Sequence, residues 1–296
     1  MPPRPSALAV GRLLDRCRFP ELGSRLTCAV SGGADSLALL FLATEAGCRV
    51  TAVHVDHGLR PGSASEADVV AAAASRFGAA FRAERADVGP GPNLEARARD
   101  ARRAVLPPGA ATGHTADDQA ETILLNLLRG AGLDGLAGMR PGPAKPILAL
   151  RRAETHELCA ALGLEPVVDP SNADPAFRRN RVRHELLPLL DAVAGRDVAG
   201  VLARQAALLR DDAEVLDELA AAVDASDSRA LAAAPPAVAR RAVRRLLAAT
   251  EPAGHPPSAA AVERVLAVAR HQATACEVEG GRRVRRSVGR LHVEPA

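Results

Sequence analysis

The 296-residue chain is expected to fold as an α/β protein, a doubly wound parallel sheet followed by a smaller, mainly helical domain. Three observations carry this reading. Short β-rich runs alternate with helical patterns as far as Asp169, glycines close the helical patterns, and from Asp197 onward the composition turns Ala/Leu/Arg-rich with helical periodicity. Domains of 1–195 and 196–296 follow.

The elements run in order. Leu26–Val30 is a continuous apolar run, as a strand buried on both faces requires. Leu37–Ala46 reads as a buried helix closed by Gly47, a residue that accepts the left-handed conformation at a helix end. Arg49–Val55 and Ala79–Ala86 are the next strands, separated by a helix over Ser65–Phe77 that Gly78 closes. An arginine-studded helix over Asn93–Val105, a short strand Ala110–Thr112 and a strong helix Thr115–Arg129 come next. Pro146–Leu148 and Glu165–Val168 are expected as short strands flanking a helix over Ala153–Leu162. The tail alternates around Gly280-Gly281, which predicts a β-hairpin.

Composition excludes several classes. No apolar run approaches the roughly 18 residues that span a bilayer, and charges interrupt the N-terminal stretch where a signal peptide needs an apolar core. A cytoplasmic protein without membrane contact is expected. The five cysteines show no C-x-x-C spacing, so neither a zinc nor an iron–sulfur site is indicated. Lys145 is the sole lysine among 38 basic residues, and its Pro-flanked setting suits a catalytic amine poorly. Trp and Tyr are absent, so any nucleic-acid surface must work through arginine, phosphate geometry and shape rather than stacking.

Three motifs carry chemistry. Ser31-Gly32-Gly33-Ala34-Asp35-Ser36 joins a buried strand to a helix, where backbone N–H groups and a helix N-terminus form an anion cradle. Asp35 is the odd member, since a carboxylate beside phosphates needs a cation between them; Mg²⁺ coordination is its expected use, with helix capping the alternative. His54-Val55-Asp56-His57 ends the second strand, at the edge where such sheets bind ligands. Gly113-His114-Thr115-Ala116-Asp117-Asp118-Gln119-Ala120-Glu121 opens a helix; capping explains Thr115, Asp117 and Asp118, whereas Glu121 with His114 suits acid/base or cation-binding work. Arginines cluster at Arg97–Arg103, Arg178–Arg183, Arg240–Arg245 and Arg282–Arg290 despite a net charge of only +3, which points to a polyanionic partner.

Taken together, SGGADS, HVDHGLR, NLEARARDAR, GHTADDQAETILLNLLRG and DPSNADPAFRRNRVRHELLP resemble, in order and spacing, the tRNA(Ile)-lysidine synthases of the PP-loop ATP pyrophosphatase superfamily. The resemblance is dense over residues 25–190. It implies a Rossmann-like fold that uses ATP and Mg²⁺ to adenylate the C2 oxygen of the wobble cytidine in a tRNA(Ile) with a CAU anticodon. L-lysine then displaces AMP. It further implies ATP contacts at Ser31, Gly32, Gly33, Ala34, Asp35, Ser36, Val55 and Gly113, with Asp35 the metal ligand. Asp35, His114, Asp118, Glu121, Arg99 and Arg102 would be catalytic, and Arg181, Arg183, Arg244 and Arg245 would bind substrate or tRNA. Asp118 and Glu121 would serve lysine, one as counter-ion and one as base, because carboxylates near bound nucleotide need a joining cation and the lysine ammonium supplies it. Arg102-Arg103 departs from the Arg-Tyr common at that place. A homodimer is compatible with the sequence. The competing readings are a PP-loop tRNA 2-thiolase and a non-catalytic RNA- or nucleotide-binding module.

The arginine pattern makes one prediction. Replacing Arg244 and Arg245 by Glu weakens tRNA binding and flattens its salt dependence by about two counterions, with ATP affinity unchanged. Filter-binding isotherms over a salt series test this; isotherms that do not move place the RNA surface elsewhere.

Overall fold

A computed structural model describes residues 6–56, 58, 64–89, 91, 94–250 and 257–295. Helix α1 (Ala7–Leu14), capped by Ser6, precedes strand β1 (Arg25–Ala29). Then follow α2 (Ala34–Glu45), β2 (Arg49–Asp56), α3 (Ala64–Phe77), β3 (Ala80–Arg85), α4 (Leu94–Val105) and β4 (Ala111–Thr112). Strands β1 to β4 form a parallel sheet in the order β3-β2-β1-β4, with Cys28 of β1 opposite both Ala52 and Ala111. Helix α2 is apolar nearly all round and buries Leu37, Leu39, Leu40 and Leu42 completely, as a helix at the centre of a core must.

Helices α5 (Ala116–Leu128), α6 (Leu133–Leu136) and α7 (Arg152–Ala161) follow. Helix α8 (Arg178–Arg181) continues through a π turn (Val182–Leu186) into α9 (Leu187–Ala194). The π turn has a local cause. Pro188 has no N–H to give the carbonyl four residues back, and the Leu187 N–H reaches to Val182 O, five residues back.

Two expected strands are absent. Residues 146–150 are turns: the backbone bonds locally, from the Leu150 N–H to Ile147 O at 3.0 Å, and Pro146 offers no donor. Ile147 and Leu150 are nonetheless fully buried in the main core, so the apolar signal there reported burial rather than pairing. At 165–168 the chain lies over the first loop instead of joining the sheet, held by the Val167 N–H to Gly32 O at 3.0 Å.

The chain divides into units Met1–Ala207 and Leu208–Ala296, a division that falls within α10 (Val198–Ala221) rather than at the expected 195/196 boundary. The second unit packs α11 (Ser228–Ala233), α12 (Pro236–Ala249) and α13 (Ala259–Ala269) with an antiparallel sheet of β5 (Ala275–Glu277), β6 (Arg283–Ser287) and β7 (Arg290–Glu294). The expected hairpin at Gly280-Gly281 connects β5 to β6, and a second, through Val288-Gly289, adds β7. Among the described residues no helix is long and apolar enough to cross a membrane.

Strand order reverses between β1 and β4, so their carboxyl ends open a crevice. There a Cβ on Gly113 would lie 2.7 Å from the Asp35 carbonyl oxygen and 3.0 Å from the Ser36 nitrogen, both backbone atoms that cannot swing aside. Gly113→Ala should therefore cost about 1–3 kcal/mol and lower the melting temperature. Gly11→Ala, in the interior of α1 with nothing within 4 Å of the new methyl, should instead add about 0.5–1 kcal/mol. Calorimetry on the two variants checks the contrast.

Candidate active site

The loop from β1 to α2 has the form a phosphate cradle needs. Gly32 has φ +85°, a left-handed conformation that strains other residues, and a Cβ there would meet Val167 at 2.9 Å. Gly33 caps α2, so the first N–H groups of that helix face the loop. Ser36 Oγ donates to Gly33 O at 2.8 Å and accepts from the Ser31 N–H at 3.2 Å, so the hydroxyl holds the loop in shape. Just behind it, buried His54 places Nδ1 3.0 Å from Val30 O. Val55, half-buried, ends the neighbouring strand.

Asp35, in the first turn of α2, contacts α7. Its Oδ1 accepts from the Thr155 hydroxyl, and Oδ2 lies 3.6 Å from Arg152 Nε. Burial raises its pKa, with Thr155 and Arg152 pulling the other way.

Helix α5 presents the other carboxylates. Thr115 begins it, and its N–H and hydroxyl donate to Asp118 Oδ2 at 2.8 and 3.0 Å. Asp118 Oδ1 accepts from Arg179 Nη2 at 2.9 Å and Arg152 Nη2 at 3.1 Å. Burial pushes the Asp118 pKa up, but the Arg179 and Arg152 charges outweigh it and leave the carboxyl below its ordinary range. Glu121, one turn on and 0% exposed, is surrounded. Its Oε1 accepts from Arg183 Nε at 2.7 Å and Arg152 Nη2 at 3.1 Å; its Oε2 accepts from Arg179 Nε at 2.7 Å and Arg183 Nη2 at 3.2 Å. Four donors fill the lone-pair positions a carboxylate has.

This corrects the expectation that only a substrate ammonium could neutralise the pair. Arg152, Arg179 and Arg183 balance Asp35, Asp118 and Glu121 charge for charge. Asp117 turns to the other side of α5, where Arg151 holds it bidentately at 2.9 and 3.1 Å while also pairing with Asp197.

The structure brings together Ser31–Ser36, Gly113, Asp118, Glu121 and Arg183. Arg183, expected on substrate or tRNA, is turned onto Glu121. Arg181 is exposed and paired with Glu185. Arg244 and Arg245 are exposed on α12 in the second unit. Arg99 lies on α4 with its side chain outside the described set, as are His57, Leu59 and Arg60. Several arginines of the tail clusters are engaged within the protein, Arg240 with Glu263, Arg241 with Asp217 and Arg285 with Glu294. Sequence reasoning missed Arg152 and read Arg179 only within a cluster facing a polyanion. The i, i+4 spacing of Arg179 and Arg183 was the available signal for the latter; Arg152 had none.

His114 sits next to Gly113 with Nδ1 2.7 Å from Thr112 Oγ1. Burial lowers its pKa to about 4, and the charges of Lys145, Arg179 and Arg102 act in the same direction against Asp118. The imidazole is thus neutral at physiological pH. Lys145, set aside on sequence grounds, contributes to this field, and burial with Arg103 and Arg102 lowers its own pKa. A base with a depressed folded-state pKa loses stability as pH falls from the unfolded value of about 6.5 through the folded one. Stability of the native chain should therefore drop between pH 6.5 and 4 more steeply than that of His114→Asn, by up to about 3 kcal/mol. Urea unfolding across that range measures the difference, and superimposable profiles would refute it.

The chain is similar to known proteins over its whole length. A family model described as a PP-loop domain matches residues 9–190, and one described as a TilS substrate binding domain matches 227–292. The tRNA(Ile)-lysidine synthase of Nocardia farcinica is 47% identical over 77% of this chain and 77% of that one. That of Thermobifida fusca is 41% identical over 99% and 98%. Among solved structures, the U34-tRNA thiolase NcsA from Methanococcus maripaludis shares the fold, with a TM-score of 0.55 and 17% identity over 68% of this chain and 78% of that one. With the loop, the crevice and the carboxylate–arginine site in place, the matches establish that the chain belongs to the tRNA(Ile)-lysidine synthase family, ATP-using ligases built on a PP-loop domain.

Proposed function

We propose that this chain joins L-lysine to C2 of the wobble cytidine of a tRNA(Ile) with a CAU anticodon, in the cytoplasm, through an adenylated tRNA. The observation that carries the assignment of roles is the juxtaposition of the glycine loop, closed on by Gly113, with Asp35 and the Asp118–Glu121 pair beyond it.

Ser31, Gly32, Gly33, Ala34 and Ser36 hold the phosphates through loop N–H groups and hydroxyls, with Val55 and Gly113 lining the site. The cytidine C2 oxygen attacks the α-phosphate and pyrophosphate leaves. Neutral His114, beside Gly113, stands where charge grows on that phosphate. The lysine ammonium gives a proton to the Asp118 carboxylate, the free ε-amine attacks C2, and AMP leaves with the bonding pair of the C2–O bond.

Mg²⁺ fits as an ion carried in with the nucleotide. The described residues hold no cluster of metal ligands, but Asp35 Oδ2 has only a 3.6 Å contact with Arg152, and Mg²⁺ takes one or two carboxylates plus phosphate oxygens. When bound, such an ion withdraws charge from the phosphates.

Asp118 and Glu121 divide the work by exposure. The Asp118 side chain retains 11% exposure and Glu121 none. Asp118 therefore meets the amine, while Glu121 anchors the arginines behind it. The thiolase reading finds no support in the thiols, since burial pushes those of Cys17, Cys28 and Cys159 up to about 12.

Two variants test the division. Asp35→Asn should abolish release of AMP and pyrophosphate, measured by chromatography; ADP and phosphate from the native protein would overturn the assignment. Asp118→Asn should still adenylate the tRNA in the absence of lysine yet raise KM for lysine roughly ten- to a hundred-fold, the effect of losing one charge-assisted contact. Glu121→Gln should instead lose about 3–5 kcal/mol of stability, because buried guanidiniums lose their counter-charge.

A further inference from the structure

Arg152 differs from its two partners in the cage. Arg179 and Arg183 each grip Glu121 through Nε at 2.7 Å. Arg152 divides one terminal nitrogen between Asp118 Oδ1 and Glu121 Oε1, both at 3.1 Å, and leans its Nε toward Asp35 at 3.6 Å. It is thus the cation shared between the loop carboxylate and the α5 pair. It stands at the start of α7, whose Arg152 N–H donates to Asp117 Oδ2 at 2.7 Å and whose Thr155 hydroxyl holds Asp35. The backbone is anchored from both sides while the guanidinium spans two sites.

We propose that Arg152 is a positioning residue that keeps the place of the lysine ammonium until nucleotide binds. The inference rests on the reading that Asp118 receives lysine. Asp118 Oδ1 accepts from both Arg152 at 3.1 Å and Arg179 at 2.9 Å, so an ammonium must displace a guanidinium to reach it. Phosphates settling on Ser31–Ser36 bring negative charge beside Asp35, and the guanidinium is drawn from the longer, divided contacts toward them. One acceptor position on Asp118 Oδ1 is thereby released for the ammonium, while Arg179 stays on that oxygen at 2.9 Å and Arg183 stays on Glu121. Nucleotide therefore favours lysine, and lysine favours nucleotide by the same factor.

Equilibrium dialysis of radiolabelled lysine against the full chain, with and without α,β-methylene-ATP, tests the proposal. The native protein should bind lysine on the order of 5–50-fold tighter with the analogue. In Arg152→Ala the ratio of affinities should fall to about one, because the coupling cation is gone. Arg152→Lys keeps the positive charge and so the fold, but a compact ammonium cannot bridge three carboxylates; its ratio should also collapse. A merely structural role would lower both affinities and leave their ratio intact. A native ratio of one, or a native-like ratio in Arg152→Lys, overturns the proposal. Asp118→Asn that binds lysine as tightly as the native chain overturns the underlying reading instead, so the two failures are told apart.

Discussion

A carboxylate with no exposure to water dominates this fold's chemistry. Guanidiniums from two separate segments close on Glu121, Arg152 from α7 and Arg179 and Arg183 from the helix that follows. Taking such charges out of water is expensive, and good geometry with every lone pair filled is what offsets the cost. The consequence is topological. The segment 178–183 packs on α5, and with it the apolar residues Val182 and Leu187, which join Ala120 and Leu124 in a small core of their own. Packing and electrostatics here fix the same arrangement.

The first parallel strands and the glycine loop were legible in the sequence because they rest on local rules. Apolar runs, helix-ending glycines and a Gly-Gly turn are read from neighbouring residues. The tail hairpin was legible for the same reason. What escaped was long-range. Pro146–Leu148 carries a strand's composition, but its burial against α2 rather than a ladder accounts for it. Residues 165–168 cover the first loop through one backbone bond, which no periodicity announces.

In the site, the carboxylates were legible and their partners were not. Asp35, Asp118 and Glu121 stand out as acids in places where helix capping explains only some of them. Arg152 and Arg179 are two arginines among many, and the abundance of arginine hides which ones turn inward. Arg183 was read toward substrate and its contact with Glu121 was not foreseen, since a sequence shows that a charge exists but not which opposite charge it reaches across 62 residues.

The π turn at Val182–Leu186 has a consequence for which changes in chain length this family member can accept. One helical residue corresponds to a rotation of about 100° around the axis, and the turn absorbs one such step between the arginines and the leucines that follow. Removing a residue there would restore a regular helix, yet it would point either the guanidiniums or Leu187 and Leu190 away from α5. The segment's residue count is therefore set from both ends, and a point substitution is tolerated there more readily than a deletion.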